Sequence, residues 1–233
     1  MKLDILVLAA HPDDAELACS GTIMAHIAMG RKVGVIDLTM GELGTRGTPE
    51  IRANEAAKSA QIMGLEIRDN LCLPDGFFQN DKESLIEIIK AIRTYQPEIV
   101  LANAVYDRHP DHTIGGAVAS RACFLAGLKK IETGQEAWRP KNVYHYIQDR
   151  MLIPDLIVDI TDYWEDKKEC INAYSSQFFN PTNKEPQTYI STPAFMEFIE
   201  ARALEFGHAI GVKYGEGFTK EKQIGVTDLF DLL

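Results

Sequence analysis

Residues Leu3 to Ala10 (LDILVLAA) form a nearly unbroken apolar run. A strand of this composition has no polar face to offer water, so it belongs inside a sheet covered on both sides. The pattern then alternates. Ser20 to Met29 reads as a helix stopped by Gly30, and Lys32 to Thr39 as a second strand. Glu50 to Met63 reads as a helix, with Pro49 suited to its first turn and Gly64 to its end. Asn70 to Leu73 is a short strand, Lys82 to Tyr95 a helix ended by Pro97, Ile99 to Ala104 a fourth strand, and Thr113 to Leu128 a helix. Val143 to Gln148 and Leu156 to Ile160 read as further strands, and Tyr163 to Phe178 and Pro193 to Gly211 as helices. This alternation predicts an α/β fold: a Rossmann-like, mostly parallel sheet with helices on both faces. No repeat, low-complexity tract or linker interrupts it, so a single domain over 1–233 is expected.

Composition narrows the partners. The 233 residues carry 24 basic and 34 acidic side chains, a net charge of −10. Nucleic acid and anionic membranes both call for concentrated positive charge, so neither is an expected partner. The run Ile5 to Ala10 is too short for a signal-peptide core, and no stretch approaches the roughly 20 apolar residues of a membrane span. Cys19, Cys72, Cys123 and Cys170 are scattered, with no CxxC pair. That spacing suits four reduced thiols and predicts a cytoplasmic protein.

Two motifs carry chemistry: His11-Pro12-Asp13-Asp14 after strand one, and His109-Pro110-Asp111-His112 after strand four. Each sets imidazole and carboxylate at the carboxyl end of a buried strand. In a 3-2-1-4-5 sheet, strands one and four flank the point where strand order reverses, which is where such sheets bind ligands. The fold therefore brings the motifs together. Together they offer three imidazoles and three carboxylates. A His-carboxylate-His set leaves a zinc ion an open position for water, and the same set describes Fe(II) sites. A further carboxylate would take the water's proton and a further imidazole would stabilise charge on an attacked carbonyl. Each motif alone would read as a turn or helix cap; two at matching places in the topology point to a site. His26, His145 and His208 lack an acidic partner pattern and read as surface or packing residues. The dinucleotide fingerprint GxGxxG is absent after strand one, which argues against an oxidoreductase. Asp13 and His109 argue against a protein that only holds metal, since storage needs neither.

The HPDD motif, with Glu16 and Gly21-Thr22 behind it, and the later HPDH resemble the LmbE-like, or PIG-L, zinc-dependent N-deacetylases. Lys168 to Gln177 (KECINAYSSQ) is similar to a C-terminal motif of that family ending in Ser-Gln. The resemblance implies His11, Asp14 and His112 as ligands of Zn2+, with Fe2+ an alternative, and no organic cofactor. It implies Asp13 as general base and later acid, His109 as the group that stabilises the oxyanion, and Asp111 as the residue that orients and charges His109.

The similarity is strongest to the branch that deacetylates N-acetylglucosaminyl-malate in bacillithiol biosynthesis. It rests on Ile51-Arg52, Asp107-Arg108, Trp138-Arg139-Pro140, Thr188-Tyr189-Ile190 and Lys213-Tyr214-Gly215-Glu216. The implied partner is a small N-acetylated amino-sugar conjugate; another N-acetylglucosamine substrate, such as a chitooligosaccharide or antibiotic precursor, is the alternative. Arg52 and Arg108 are expected to hold malate carboxylates, since arginine binds them in bidentate fashion. Arg139 stands evenly between that role and a surface one. Tyr189 resembles a family tyrosine that reaches over the carbonyl. Asp75 and Glu42 are read either as acceptors for sugar hydroxyls or as turn-makers. The resemblance also implies a homo-oligomer, a hexamer, with the stripes Ile86-Ile89 and Phe195-Phe198-Ile199 in core or subunit contacts.

Overall fold

A computed structural model describes residues 1–232. Seven strands form one sheet in the order β3-β2-β1-β4-β5-β7-β6. The strands are β1 (Ile5–Ala9), β2 (Val33–Thr39), β3 (Ile67–Leu73), β4 (Ile99–Ala102), β5 (Asn142–Tyr146), β6 (Leu156–Asp159) and β7 (Gly215–Lys220). The first five run parallel, and β7 pairs antiparallel with both β5 and β6. The helices are α1 (Asp14–Ala28), α2 (Pro49–Met63), α3 (Lys82–Tyr95), α4 (Pro110–Ala126), α5 (Trp164–Asn172) and α6 (Pro193–Ala209).

The alternation along β1 explains its composition. Leu6 and Leu8 point to one face and join Ile36, Leu38, Val100 and the apolar stripe of α3 and α4. Ile5, Val7 and Ala9 point to the other and join Val33, Val35, Leu101 and α1. Both faces are covered, so a continuous apolar run is what the position demands. A third cluster, built from α5, α6 and the segment Ala173 to Phe178, extends the second layer over α2.

The structure departs from the sequence reading in four places. α1 starts at Asp14, not Ser20, so the carboxylates of the first motif belong to a helix N-terminus. β3 starts at Ile67. β7 was not expected: GEGFTK has two glycines and two charges, and no strand periodicity. A Cβ at Gly217 would lie 2.9 Å from the Phe206 ring and one at Gly215 2.9 Å from the Gly207 backbone nitrogen, so these glycines let α6 lie directly on the strand. The helix expected over 163–178 ends as α5 at Asn172. Among the described residues, no helix is long and apolar enough to cross a membrane.

Candidate metal and catalytic site

The first motif follows β1 and the second follows β4, which lies beside it in the sheet. The three imidazoles therefore gather. The ring centroids of His11 and His109 are 4.7 Å apart, and those of His109 and His112 are 5.0 Å apart. They line a cavity of about 280 Å3 at the carboxyl ends of the parallel strands.

Asp14, the first residue of α1, sits between two of the rings. Its Oδ1 is 3.0 Å from His112 Nε2, and its Oδ2 is 3.8 Å from His11 Nδ1. It also accepts hydrogen bonds from the His11 backbone N–H, Asn103 Nδ2 and Gln148 Nε2. Burial pushes its carboxyl up, but the charges of His112 and His11 and the hydrogen bonds outweigh this and hold it well below the usual carboxylate range.

The far side of each imidazole is held by carboxylates. His112 Nδ1 bonds Asp107 Oδ2, whose other oxygen accepts from the backbone N–H groups of Asp149 and Arg150. His11 Nε2 lies 3.0 Å from Asp75 Oδ1 and 3.2 Å from Asp111 Oδ2. A proton on each of these outer nitrogens leaves the inner pair, His11 Nδ1 and His112 Nε2, with lone pairs toward Asp14. This is the carboxylate–histidine arrangement that orients metal ligands. Two ligand atoms of a tetrahedral zinc are about 3.4 Å apart, and the two separations to Asp14 bracket that value. The donor set thus fits a divalent cation. Among the described residues, the groupings whose ligand atoms all lie within 4.8 Å of one another are different ones: His11, His109 and His112, and His11, Asp75 and Asp111. In the second, both carboxylates already hold a single ring N–H. In the first, His109 Nδ1 accepts the Asp111 backbone N–H at 3.3 Å and caps α4.

Asp13 occupies the N-cap of α1 with φ of 123°, a region L-residues rarely adopt. Such backbone costs on the order of 1–3 kcal/mol and persists only where its surroundings fix it. Arg52 does so. Its Nη2 donates to Pro12 O at 2.5 Å and to Asp13 Oδ2 at 3.2 Å, and its Nη1 donates to Gly41 O. Gly41 itself has φ of 67°, and a Cβ there would lie 1.9 Å from Arg52 Nη1. Burial raises the Asp13 carboxyl, Arg52 pulls it down, and the balance lies well above the ordinary value. A carboxylate poised upward is suited to proton transfer. For His109 burial, followed by the neighbouring imidazoles, pushes the ring below its ordinary value.

The other expected residues fall in varied places. Arg108 lines the cavity, 3.5 Å from Asp149 Oδ2, with its guanidinium 4.2 Å over the Tyr189 ring. Tyr189 is exposed, in a short 3-10 turn beside the cavity-lining Ile190 and Phe195. Arg52 is buried and lines the cavity; its two terminal nitrogens bond Asp13 and two backbone carbonyls, which ties it to Asp13, while its Nε has no partner among the described residues. Arg139 lies outside the cavity: it bonds Phe124 O at the end of α4 and stacks on the Phe124 ring. Asp75 is turned inward onto His11 and accepts the Leu43 N–H, while Glu42 accepts the Asp75 N–H; both brace the loop. The Asp111 carboxylate bonds His11 and the Gly76 N–H, and only its backbone N–H meets His109. The expected Asp111 contact with His109 is therefore made by the main chain, and the side chain serves His11.

Sequence reasoning gave no role to Asp107, Asn103, Gln148 or Arg202. Asp107 stands five residues before His112, beyond what the tetrapeptide motif suggested. Asn103 also accepts the Ala10 N–H, tying β1 to β4 behind Asp14. His145 is buried, joining Asn103 O to Glu221, and is not a surface residue. The Ser-Gln motif fastens the glycine-rich loop over 40–49 (MGELGTRGTP) and the helix after it: Gln177 Nε2 donates to Arg46 O, and Ser176 donates to Glu55 of α2. Glu16 and Gly21-Thr22 lie in α1, where Glu16 pairs with Arg68, and the Gly21 and Thr22 N–H groups donate to Glu216.

The His/Asp cluster lies at the point where the strand order reverses, which is where doubly wound α/β proteins bind their ligands. The family model described as PIG-L, GlcNAc-PI de-N-acetylase, matches residues 6–123, and the chain belongs to that family. A crystal structure of a conserved Thermus thermophilus protein is 35% identical, with 97% of this chain and 98% of that chain covered and a TM-score of 0.89. Diacetylchitobiose deacetylase of Thermococcus kodakarensis is 28% identical over 91% of this chain and 81% of its own length. A probable N-acetyl-α-D-glucosaminyl L-malate deacetylase of Bacillus anthracis is 25% identical over 75% of this chain and 81% of its own. The 4-oxalmesaconate hydratase of Pseudomonas putida is 26% identical, with 74% and 73% covered.

Proposed function

We propose that this protein is a metal-dependent hydrolase that removes the N-acetyl group from an N-acetylglucosamine conjugate, and that the conjugate is N-acetylglucosaminyl-malate. The observation that carries the reading is the placement of Asp13 beside a His11, Asp14, His112 ligand set whose outer ring nitrogens are held by Asp107, Asp75 and Asp111. Relatives named as deacetylases of chitobiose and of glucosaminyl-malate support the reaction class.

A divalent cation in that set would acidify water and polarise the acetyl carbonyl. The remaining work falls to the protein. Asp13 accepts the proton of the attacking water at its carboxylate. His109, on the cavity wall, donates to the carbonyl oxygen as negative charge develops there. As the C–N bond breaks, Asp13 returns its proton to the sugar nitrogen, and acetate and the free amine leave. Arg52 holds Asp13 in the strained conformation that aims it inward. Arg108 stacks on Tyr189 at the cavity wall, which supports its role as the group that meets a carboxylate of the malate.

The test is acetate release from N-acetylglucosaminyl-malate, with free N-acetylglucosamine and diacetylchitobiose alongside, on metal-analysed protein. Release confined to the malate conjugate supports both reaction and substrate. Release from the other sugars alone would keep the reaction and discard malate. A hydratase, the activity named for one relative, would release no acetate from any of them.

A further inference from the structure

Arg202 projects from α6 into the same cavity and is almost fully buried. Its Nη2 donates to Leu17 O at 3.0 Å, and the Phe198 ring lies 5.5 Å from its guanidinium carbon. Among the described residues, no carboxylate oxygen lies within 4.0 Å of its guanidinium. Elsewhere the buried cations are more fully bonded: Arg68 pairs with Asp37 and Glu16, Lys167 with Glu216 and Arg52 with Asp13, while Arg93, also without a carboxylate, donates to three backbone carbonyls and to Thr133 Oγ1. Arg202 makes one hydrogen bond among the described residues, to Leu17 O, and a guanidinium carries five N–H donors, so its remaining donors are open to an acceptor entering the cavity.

The cavity is polar in a directional sense. Asp13, Asp14, Asp75 and the histidines form its strand-end floor, and Arg108 and Arg202 stand on the wall made by the α4 approach and α6, with Asp149 3.5 Å from Arg108 as the wall's one carboxylate among the lining residues. Both guanidiniums rest on aromatic rings, which fixes them and lowers the entropy lost when they bind a planar anion. We propose that Arg202 is a specificity-determining residue that, with Arg108, binds an anionic group, a carboxylate or a phosphate, on the aglycone of the sugar whose acetamide faces Asp13. This rests on the deacetylase reading and deepens it: a neutral aglycone would leave Arg202 buried without a counter-charge, so conjugates bearing an anion are the preferred class. Burial pulls the Arg202 guanidinium down to about 10, with Glu216, Asp107 and Asp149 pulling the other way, and it stays charged at neutral pH.

The test compares wild type, Arg202→Met and Arg202→Lys on three substrates: N-acetylglucosaminyl-malate, N-acetylglucosamine 1-phosphate and the neutral methyl N-acetylglucosaminide. Lost charge-assisted bonds to one anion correspond to about 10-fold to 100-fold. Arg202→Met is expected to raise KM for the preferred anionic substrate by that factor with kcat within about threefold. The loss on the methyl glycoside is expected to be at least tenfold smaller, and Arg202→Lys should recover part of the difference. Preference for the malate or the phosphate conjugate identifies which anion is read. Equal losses on anionic and neutral substrates, or no rise in KM, would overturn the proposal while leaving the deacetylase reading intact. Should wild type hydrolyse none of the three, that reading fails alone, and calorimetric titration with L-malate and with methyl phosphate decides the anion site. Binding to wild type that weakens at least tenfold in Arg202→Met supports it; equal or absent binding overturns it.

Discussion

Asp107→Asn isolates the role of a side chain that touches no ligand position. Asp107 Oδ1 accepts the backbone N–H groups of Asp149 at 3.1 Å and Arg150 at 2.8 Å, so the asparagine keeps its oxygen there. Its amide nitrogen must then face His112 Nδ1, where Asp107 Oδ2 accepts in the wild type. Two donors cannot share that contact. His112 Nδ1 becomes the acceptor and the ring proton moves to Nε2, the atom that faces Asp14 at 3.0 Å. A protonated Nε2 cannot ligate a cation. Loss of such an orienting carboxylate weakens metal binding by about 10-fold to 100-fold, or about 1.4–2.7 kcal/mol. The assay is competition of the metal-free protein with a chromophoric chelator for Zn2+ at neutral pH, with thermal melting as a check on folding. A folded Asp107→Asn protein that binds zinc as tightly as wild type would refute the assignment of His112 as a ligand through Nε2.

Other variants separate the remaining roles. Asp13→Asn is expected to keep stoichiometric metal and lose about 10²–10⁴ in kcat, whereas Asp14→Ala should lose metal itself; metal analysis and acetate release read the two. Gly41→Ala puts a Cβ 1.9 Å from Arg52 Nη1 at a φ of 67°. A destabilisation of about 1–3 kcal/mol with a fall in kcat is expected, and a melting curve and rate unchanged from wild type would contradict the coupling of that loop to Asp13. Arg139→Ala should leave kcat and KM within twofold of wild type, since its contacts are Phe124 O and the Phe124 ring; a rise in KM for the malate conjugate would return it to the substrate site.

Much of the site was legible without coordinates because it depends on neighbours along the chain. A strand buried on both faces must be apolar throughout, and Ile5 to Ala9 is. The residues after it must turn sharply at the sheet edge, and His-Pro-Asp-Asp does. Parallel pairing of β1 with β4 then carries the second motif to the first, as the 3-2-1-4-5 order common to doubly wound sheets requires. What a side chain does once there was less legible. Arg52 and Arg108 look alike in sequence, yet the turn of α2 aims one at Pro12 O and Asp13 while Arg108, just before α4, lies on the cavity wall. Asp111 stands two residues from His109, but its side chain crosses to His11, 100 positions away.

The layered α/β architecture and the two clusters of chemistry at strand ends can be read along the chain, since periodicity and local motif are properties of short windows. That β7 completes the sheet emerges from packing, because its glycines serve the close approach of α6 and not a strand pattern. That approach in turn brings Arg202 into the cavity beside residues nearly 200 positions earlier. Contacts of this separation depend on how whole elements pack, and no local pattern encodes them.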